Sequence, residues 1–225
     1  MLMRRQQRGM SLVELMVGIT VGLFVVAAAT LLVTMQLGDN RRLLLETQLQ
    51  QDLRAAADII TREMRRSGST GTSTLAEQVV WAPGQTTVTA NTYAVLDIDD
   101  GVVSFRYNRS SGITGPFSFK LEDNVIKSLI AGGWQELTDG AIMEVTEFNV
   151  TEDAPLVEQI ACPRLCADGS TDCWPSMVTR VLRLEIQATS TADPEIQRSI
   201  RSAVRVRNDE VRFNDDDNPL QVCPI

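Results

Sequence analysis

The sequence predicts an α+β protein in which one long N-terminal α-helix, a membrane stem followed by an amphipathic half, packs on an antiparallel β-sheet head. Three observations carry this prediction. Residues 15–37 form a run of 23 positions without a formal charge. An apolar stripe at helical spacing follows it, with no proline between. From about residue 72 the apolar period changes to two, the pattern of half-buried strands. With 44% hydrophobic and 22% charged residues, the chain has the balance of a folded protein.

The stem comes first. At 1.5 Å per residue, a 23-residue helix spans roughly 35 Å, enough to cross a hydrocarbon core of about 30 Å. A short basic head, residues 1–9, precedes it with Arg4, Arg5 and Arg8. A plain signal anchor explains head and span. A secretory signal peptide would use Ala27-Ala28-Ala29 as its cleavage site, although the apolar run continues past those alanines. Neither accounts for Glu14, which interrupts the apolar stretch that opens at Met10. A charge in the bilayer costs about 2.5–3.5 kcal/mol on insertion scales, so Glu14 is a candidate functional residue.

The amphipathic half follows. Leu45, Leu49, Leu53, Ala56, Ile60 and Met64 recur every three or four residues and define one helical face. Arg54, Asp58, Arg62, Glu63 and Arg65 lie between them and are expected on a solvated face. No proline occurs from Met10 to Arg66, and Ser67-Gly68-Ser69-Thr70-Gly71 breaks the pattern. One helix over residues 10–66 would be about 86 Å long. Gly18, Gly22 and Gly38 weaken it locally by about 1 kcal/mol each relative to alanine, and suit close helix packing in a membrane.

The head is read as strands. Residues 93–98 and 102–107 flank Asp99-Asp100-Gly101, a hairpin signal. Residues 117–121 and 125–130 flank Glu122-Asp123-Asn124. Further strands are expected over residues 142–150, 178–188 and 200–206. No repeat or low-complexity linker divides the head.

Arg8-Gly9-Met10-Ser11-Leu12-Val13-Glu14-Leu15 resembles the processing site of type IV prepilins and pseudopilins. The resemblance implies a pilin-like fold and cleavage after Gly9 by a prepilin peptidase, followed by methylation of the new N-terminal residue, Met10. Phenylalanine is usual there; Met10 keeps the position large and apolar. Glu14 matches the family carboxylate that meets the N-terminal amine of a neighbouring subunit during assembly. Residues 11–17 with Gly22-Leu23, and residues 53–66 ending in Gly68, are similar to the PilW group of type IV pilus minor pilins. Residues 117–129 and Trp134-Gln135-Glu136-Leu137 resemble both that group and the GspJ pseudopilins of type II secretion. The implied division is a leader (1–9), a membrane and assembly segment (10–38), the amphipathic half-helix (39–67) and the head (68–225). The mature chain would have 216 residues (225 − 9), long for a major pilin. The implied role is a minor pilin for fibre initiation or the tip, with other pilins, the inner-membrane assembly platform and membrane lipid as partners. Its head would be periplasmic; a GspJ-like minor pseudopilin of a type II secretion system and a membrane-anchored adhesin-type binding module are the rival readings.

Catalysis is not expected. The chain has no histidine, which removes Ser-His-Asp and Cys-His constellations and imidazole metal ligands. Lys120 and Lys127 are the only lysines, so a Gly-Lys-Ser/Thr phosphate loop is missing. A net charge of −8 argues against nucleic acid as a partner. No cofactor is expected. Cys162, Cys166, Cys173 and Cys223 all lie beyond the membrane run. An oxidising compartment would pair them as two disulfides in one of three connectivities, pinning a loop and the tail at 214–225. A four-thiolate zinc site is the alternative, but the spacing contains no C-x-x-C pair. Asp97, Asp99, Asp100 and Asp215-Asp216-Asp217 offer oxygen ligands for calcium, without EF-hand spacing; hairpin turns and a solvated tail account for them. Trp81, Trp134 and Trp174 are expected in the core or at a sheet edge.

Overall fold

The computed structural model describes residues 9–70, 91, 93–109, 115–212 and 223. It divides into two compact units, Met1–Leu45 and Glu46–Ile225. Helix α1 (Leu12–Met64) runs through both. It is shorter by two residues at each end than the expected 10–66.

Within the first unit α1 is apolar on every side from Leu15 to Leu37, and its side chains are exposed from Leu12 to Leu44. Thr20 and Thr30 return their hydroxyls to the carbonyls of Met16 and Val26, at 3.1 and 2.8 Å. That satisfies the hydroxyls inside the helix, as an apolar surrounding demands. α1 is long and apolar enough to cross a membrane.

In the second unit α1 buries one face: Leu49, Leu53, Ala56, Ala57, Ile60 and Met64. Each large side chain of this set stabilises the head by about 1.5–3 kcal/mol. The helix ends through tight i→i−3 bonds from the Arg66 and Ser67 amides to the Glu63 and Met64 carbonyls. Gly68 then turns the chain at φ +78°, where a Cβ would stand 3.1 Å from that of Asn208. Only glycine meets both the dihedral and the space.

Three antiparallel sheets make up the rest of the head. The first has the order β1 (Leu96–Asp99), β2 (Val102–Phe105), β3 (Phe117–Glu122), β4 (Val125–Ile130), β5 (Gly133–Glu136). It is a meander, as the hairpin signals require. Asp123 and Asn124 both take positive φ, 55° and 61°, which is the two-residue hairpin geometry that Asn and Asp tolerate. Its buried face carries Val103, Phe105, Phe117, Phe119 and Ile126.

The second sheet has the order β10 (Asp193–Arg205), β9 (Val181–Ser190), β6 (Met143–Glu152). Leu182, Leu184, Ile186 and Ala188 alternate inward from its central strand. The third has the order β11 (Glu210–Arg212), β8 (Ser176–Thr179), β7 (Leu156–Gln159). The strand expected over 178–188 is therefore two strands in different sheets. The chain breaks at Arg180, whose guanidinium is held by both oxygens of Glu152 at 2.6 and 2.7 Å. β7 and β11 are short, largely exposed strands that the alternation did not reveal. Trp134 lies on the edge strand β5, 41% exposed, with the Lys120 ammonium 4.3 Å from its ring centre. Trp174 is half-buried, its indole N–H donating to the Arg164 carbonyl at 2.9 Å. Trp81 and Asp215-Asp216-Asp217 lie outside the described residues.

Candidate functional site

The site expected from the sequence is the start of α1. Gly9 and Met10 precede the helix in an exposed, non-helical stretch, and Met10 is 71% exposed. The Leu15 amide donates to the Ser11 carbonyl at 3.1 Å, closing the first turn. Glu14 falls in that turn, where a negative charge complements the positive end of the helix dipole. An exposed, non-helical backbone at Gly9 and Met10 is what a peptidase needs to reach that bond. Counting four residues at a time, Glu14, Gly18 and Gly22 share one helical face. None of the three residues meets a packed surface: Glu14 is exposed, and a Cβ on either glycine would have nothing within 4 Å. The geometry thus presents a carboxylate and two close-approach positions outward, along an apolar helix.

A second carboxylate on the same helix has the opposite surroundings. Glu63, expected on the solvated face, is buried, 8% exposed. It lies three residues after Ile60 and so belongs to the inner face. It accepts a hydrogen bond from the Tyr107 hydroxyl, and Arg109 donates to it at 3.1 Å. Arg66 approaches its other oxygen at 3.4 Å. Tyr107 stacks on Phe117 with ring centres 4.3 Å apart, and the Arg109 guanidinium lies 5.2 Å from the Phe117 ring centre. Burial, then the hydrogen bond to Glu63, pushes the Tyr107 phenol above its ordinary value. This cluster fastens the end of α1 to the first sheet. The only sequence signal for it was the position of Glu63 beside Ile60 and Met64; Tyr107 and Arg109 come from more than 40 residues away.

The cysteines pair as Cys162–Cys223 and Cys166–Cys173. The first bridge ties the tail position 223 to the segment after β7, and the second closes a small loop. Within that loop Asp168 accepts from the Ser170 amide at 2.9 Å. With every sulfur in a bridge, the four-thiolate zinc alternative is ruled out. Asp99, Asp100 and Gly101 form the β1–β2 turn, with Asp100 at φ 45°.

A long apolar N-terminal helix, a carboxylate in its first turn and a head of antiparallel sheets define the class: this is a type IV pilin-like chain. Residues 4–30 match the family model of the prokaryotic N-terminal methylation motif. Residues 42–206, well over half of the chain, match the family of prepilin peptidase-dependent protein B. The chain belongs to the prepilin peptidase-dependent protein B family. No curated protein and no solved structure matches it. The methylation motif and the apolar helix together fit a single-pass, membrane-anchored pilin-like subunit.

Proposed function

We propose that this chain is a minor pilin of the PilW type, a structural subunit for the initiation or tip of a type IV pilus, and not an enzyme. A prepilin peptidase cuts after Gly9 and methylates the amine of Met10. The stem stays in the inner membrane with the head in the periplasm until the assembly platform moves the subunit into the fibre beside other pilins.

The observation that carries this reading is Glu14 on an unburied apolar helix. Among the described residues no cation of this chain pairs with it. An uncompensated charge in lipid is costly. An ammonium at the N-terminus of a neighbouring subunit removes that cost, so pairing favours the assembled state. The matched methylation motif supplies the context in which such an amine exists.

Deletion of the gene tests which machine is served. A minor pilin predicts loss or sharp reduction of surface pili and twitching, with the protein scarce in sheared fibres. Normal pili with folded exoproteins trapped in the periplasm would assign it to a type II secretion pseudopilus of the GspJ kind. Normal piliation and secretion with loss of surface attachment alone would assign it to an adhesin.

A further inference from the structure

We propose that the edge of β7, unpaired among the described residues, docks an extended segment of a second protein, one that sets a basic residue opposite Glu158 and apolar residues opposite Val157 and Leu156 and adds a fourth strand to the β11–β8–β7 sheet. This goes beyond the pilus reading. It uses the head alone and holds for either machine.

The direction of the free backbone groups follows from one hydrogen bond. Ile160 donates its amide to the Pro175 carbonyl at 2.7 Å, continuing the register in which Glu158 faces Met177 and Leu156 faces Thr179. Backbone groups in an antiparallel ladder alternate in direction. Leu156, Glu158 and Ile160 therefore turn theirs toward β8, and Val157 and Gln159 turn theirs outward. Among the described residues those outward groups have no backbone partner. All four residues of β7 are exposed.

The other sheet edges carry the protections that edges ordinarily need. β1 has Asp97 and Asp99, and β11 has Glu210 and Arg212. β6 and β10 are interrupted by register shifts at Val145/Glu147 and Asp193/Gln197. β5 ends in Glu136. β7 has an unbroken register and Glu158 as its single charge. Instead it exposes Leu156 at 60% and Val157 at 53%, and the loop after it exposes Leu165 at 55%.

The edge is also held in place before any partner arrives. Gln159 exchanges side-chain hydrogen bonds with Thr171, at 3.1 and 3.2 Å. The two disulfides staple the loop that follows. A rigid edge loses little conformational entropy on binding, and strand addition then supplies backbone hydrogen bonds for affinity and alternate side chains for specificity. A second copy of this chain is a poor occupant. Pairing that used both outward residues, Val157 against Gln159, would set Glu158 opposite Glu158, and like charges directly opposite are destabilising. Glu158 instead asks for a basic residue, and Leu156 and Val157 for apolar ones.

The test places a photo-crosslinking residue at 157 or at 159 of the full-length chain in piliated cells, and maps each linked residue by mass spectrometry. The expected result is one partner, linked at two positions two residues apart with a basic residue between them. Val157→Pro removes one outward amide and should lower the yield from position 159 at least tenfold. Val157→Asp adds a like charge to the edge and should do the same; it decides alone if the proline variant loses its native disulfides. Links to second copies of this chain, links scattered over unrelated positions, or no links would overturn the proposal.

Discussion

Two glutamates on α1, 49 positions apart (63 − 14), show what separates the two ends of this helix. Glu63 is buried and has its partners inside the chain: Tyr107, Arg109 and Arg66. Glu14 is exposed on an apolar helix surface, and among the described residues no cation of this chain pairs with it. The apolar residues divide likewise. Ile60 is fully buried, whereas Phe24 is 77% exposed. A contiguous apolar surface of that extent marks a membrane or an interface with other chains. The last turns of the helix therefore serve folding, and the first turns serve location and assembly.

If that division holds, damage to the head should read out as instability and damage at Glu14 as failed assembly. The largest stability loss should come from replacing Cys162 and Cys223 by serine. Their bridge spans 61 residues against seven for Cys166–Cys173. Loop-closure entropy gives about 4 kcal/mol for the longer loop and about 2 for the shorter. Denaturant unfolding of the two double-serine variants measures the difference, and the stem helix should keep its circular dichroism in both.

Glu63→Ala comes next. It leaves the buried Tyr107 hydroxyl and Arg109 without their acceptor, and should destabilise the head by about 3 kcal/mol. Glu63→Gln keeps an acceptor and should cost less. Glu14→Ala should leave head unfolding unchanged and membrane insertion intact, while lowering incorporation into sheared fibres roughly ten- to a hundredfold, the worth of a charge-assisted hydrogen bond. Equal incorporation of Glu14→Ala and wild type would remove the distinction between the two glutamates.

Smaller effects are pH-dependent. The Arg180 guanidinium, which donates to Glu152, holds that carboxyl below its ordinary value. A depressed acid contributes stability above its unfolded value, about 4.3, and loses it as pH falls through the lower folded one. Unfolding midpoints should thus drop on acidification, and less steeply in Arg180→Gln. Tyr107 has the opposite sign: its raised value means stability is intact below about pH 10 and is lost as pH rises through the folded value. Ultraviolet titration should find that phenol ionising late in wild type, and earlier in Glu63→Gln.

Local signals in the sequence were strong enough to place most elements. Helical spacing from Leu45 to Met64, the Asp99-Asp100-Gly101 turn and the Asp123-Asn124 pair are decided by neighbouring residues, so the helix and the first two hairpins could be read directly. The break at Arg180 could not. Residues 178–188 alternate except at Arg180, which takes a position of the apolar side, and the partner that holds it there, Glu152, lies 28 residues earlier. β7 and β11 are short edge strands, the first exposed and the second only half-buried, so they bury too little to show a period. Glu63 was misassigned because a carboxylate among arginines reads as solvated, and its acceptor role depends on Tyr107 and Arg109, which lie in the irregular segment after β2. At the start of the helix the reverse applies. Gly9, Met10 and Glu14 have no packing to reveal them, and only the order of residue types singled them out. The cysteine pairing needed the fold, since four cysteines admit three connectivities.

The most direct test of the account is the chemical nature of the mature N-terminus. Intact-mass and N-terminal peptide analysis of protein from cells with a prepilin peptidase should show a chain beginning at Met10 with one methyl group on its amine. A chain that begins after Ala29, or one that retains residues 1–9 in the assembled fibre, would contradict it.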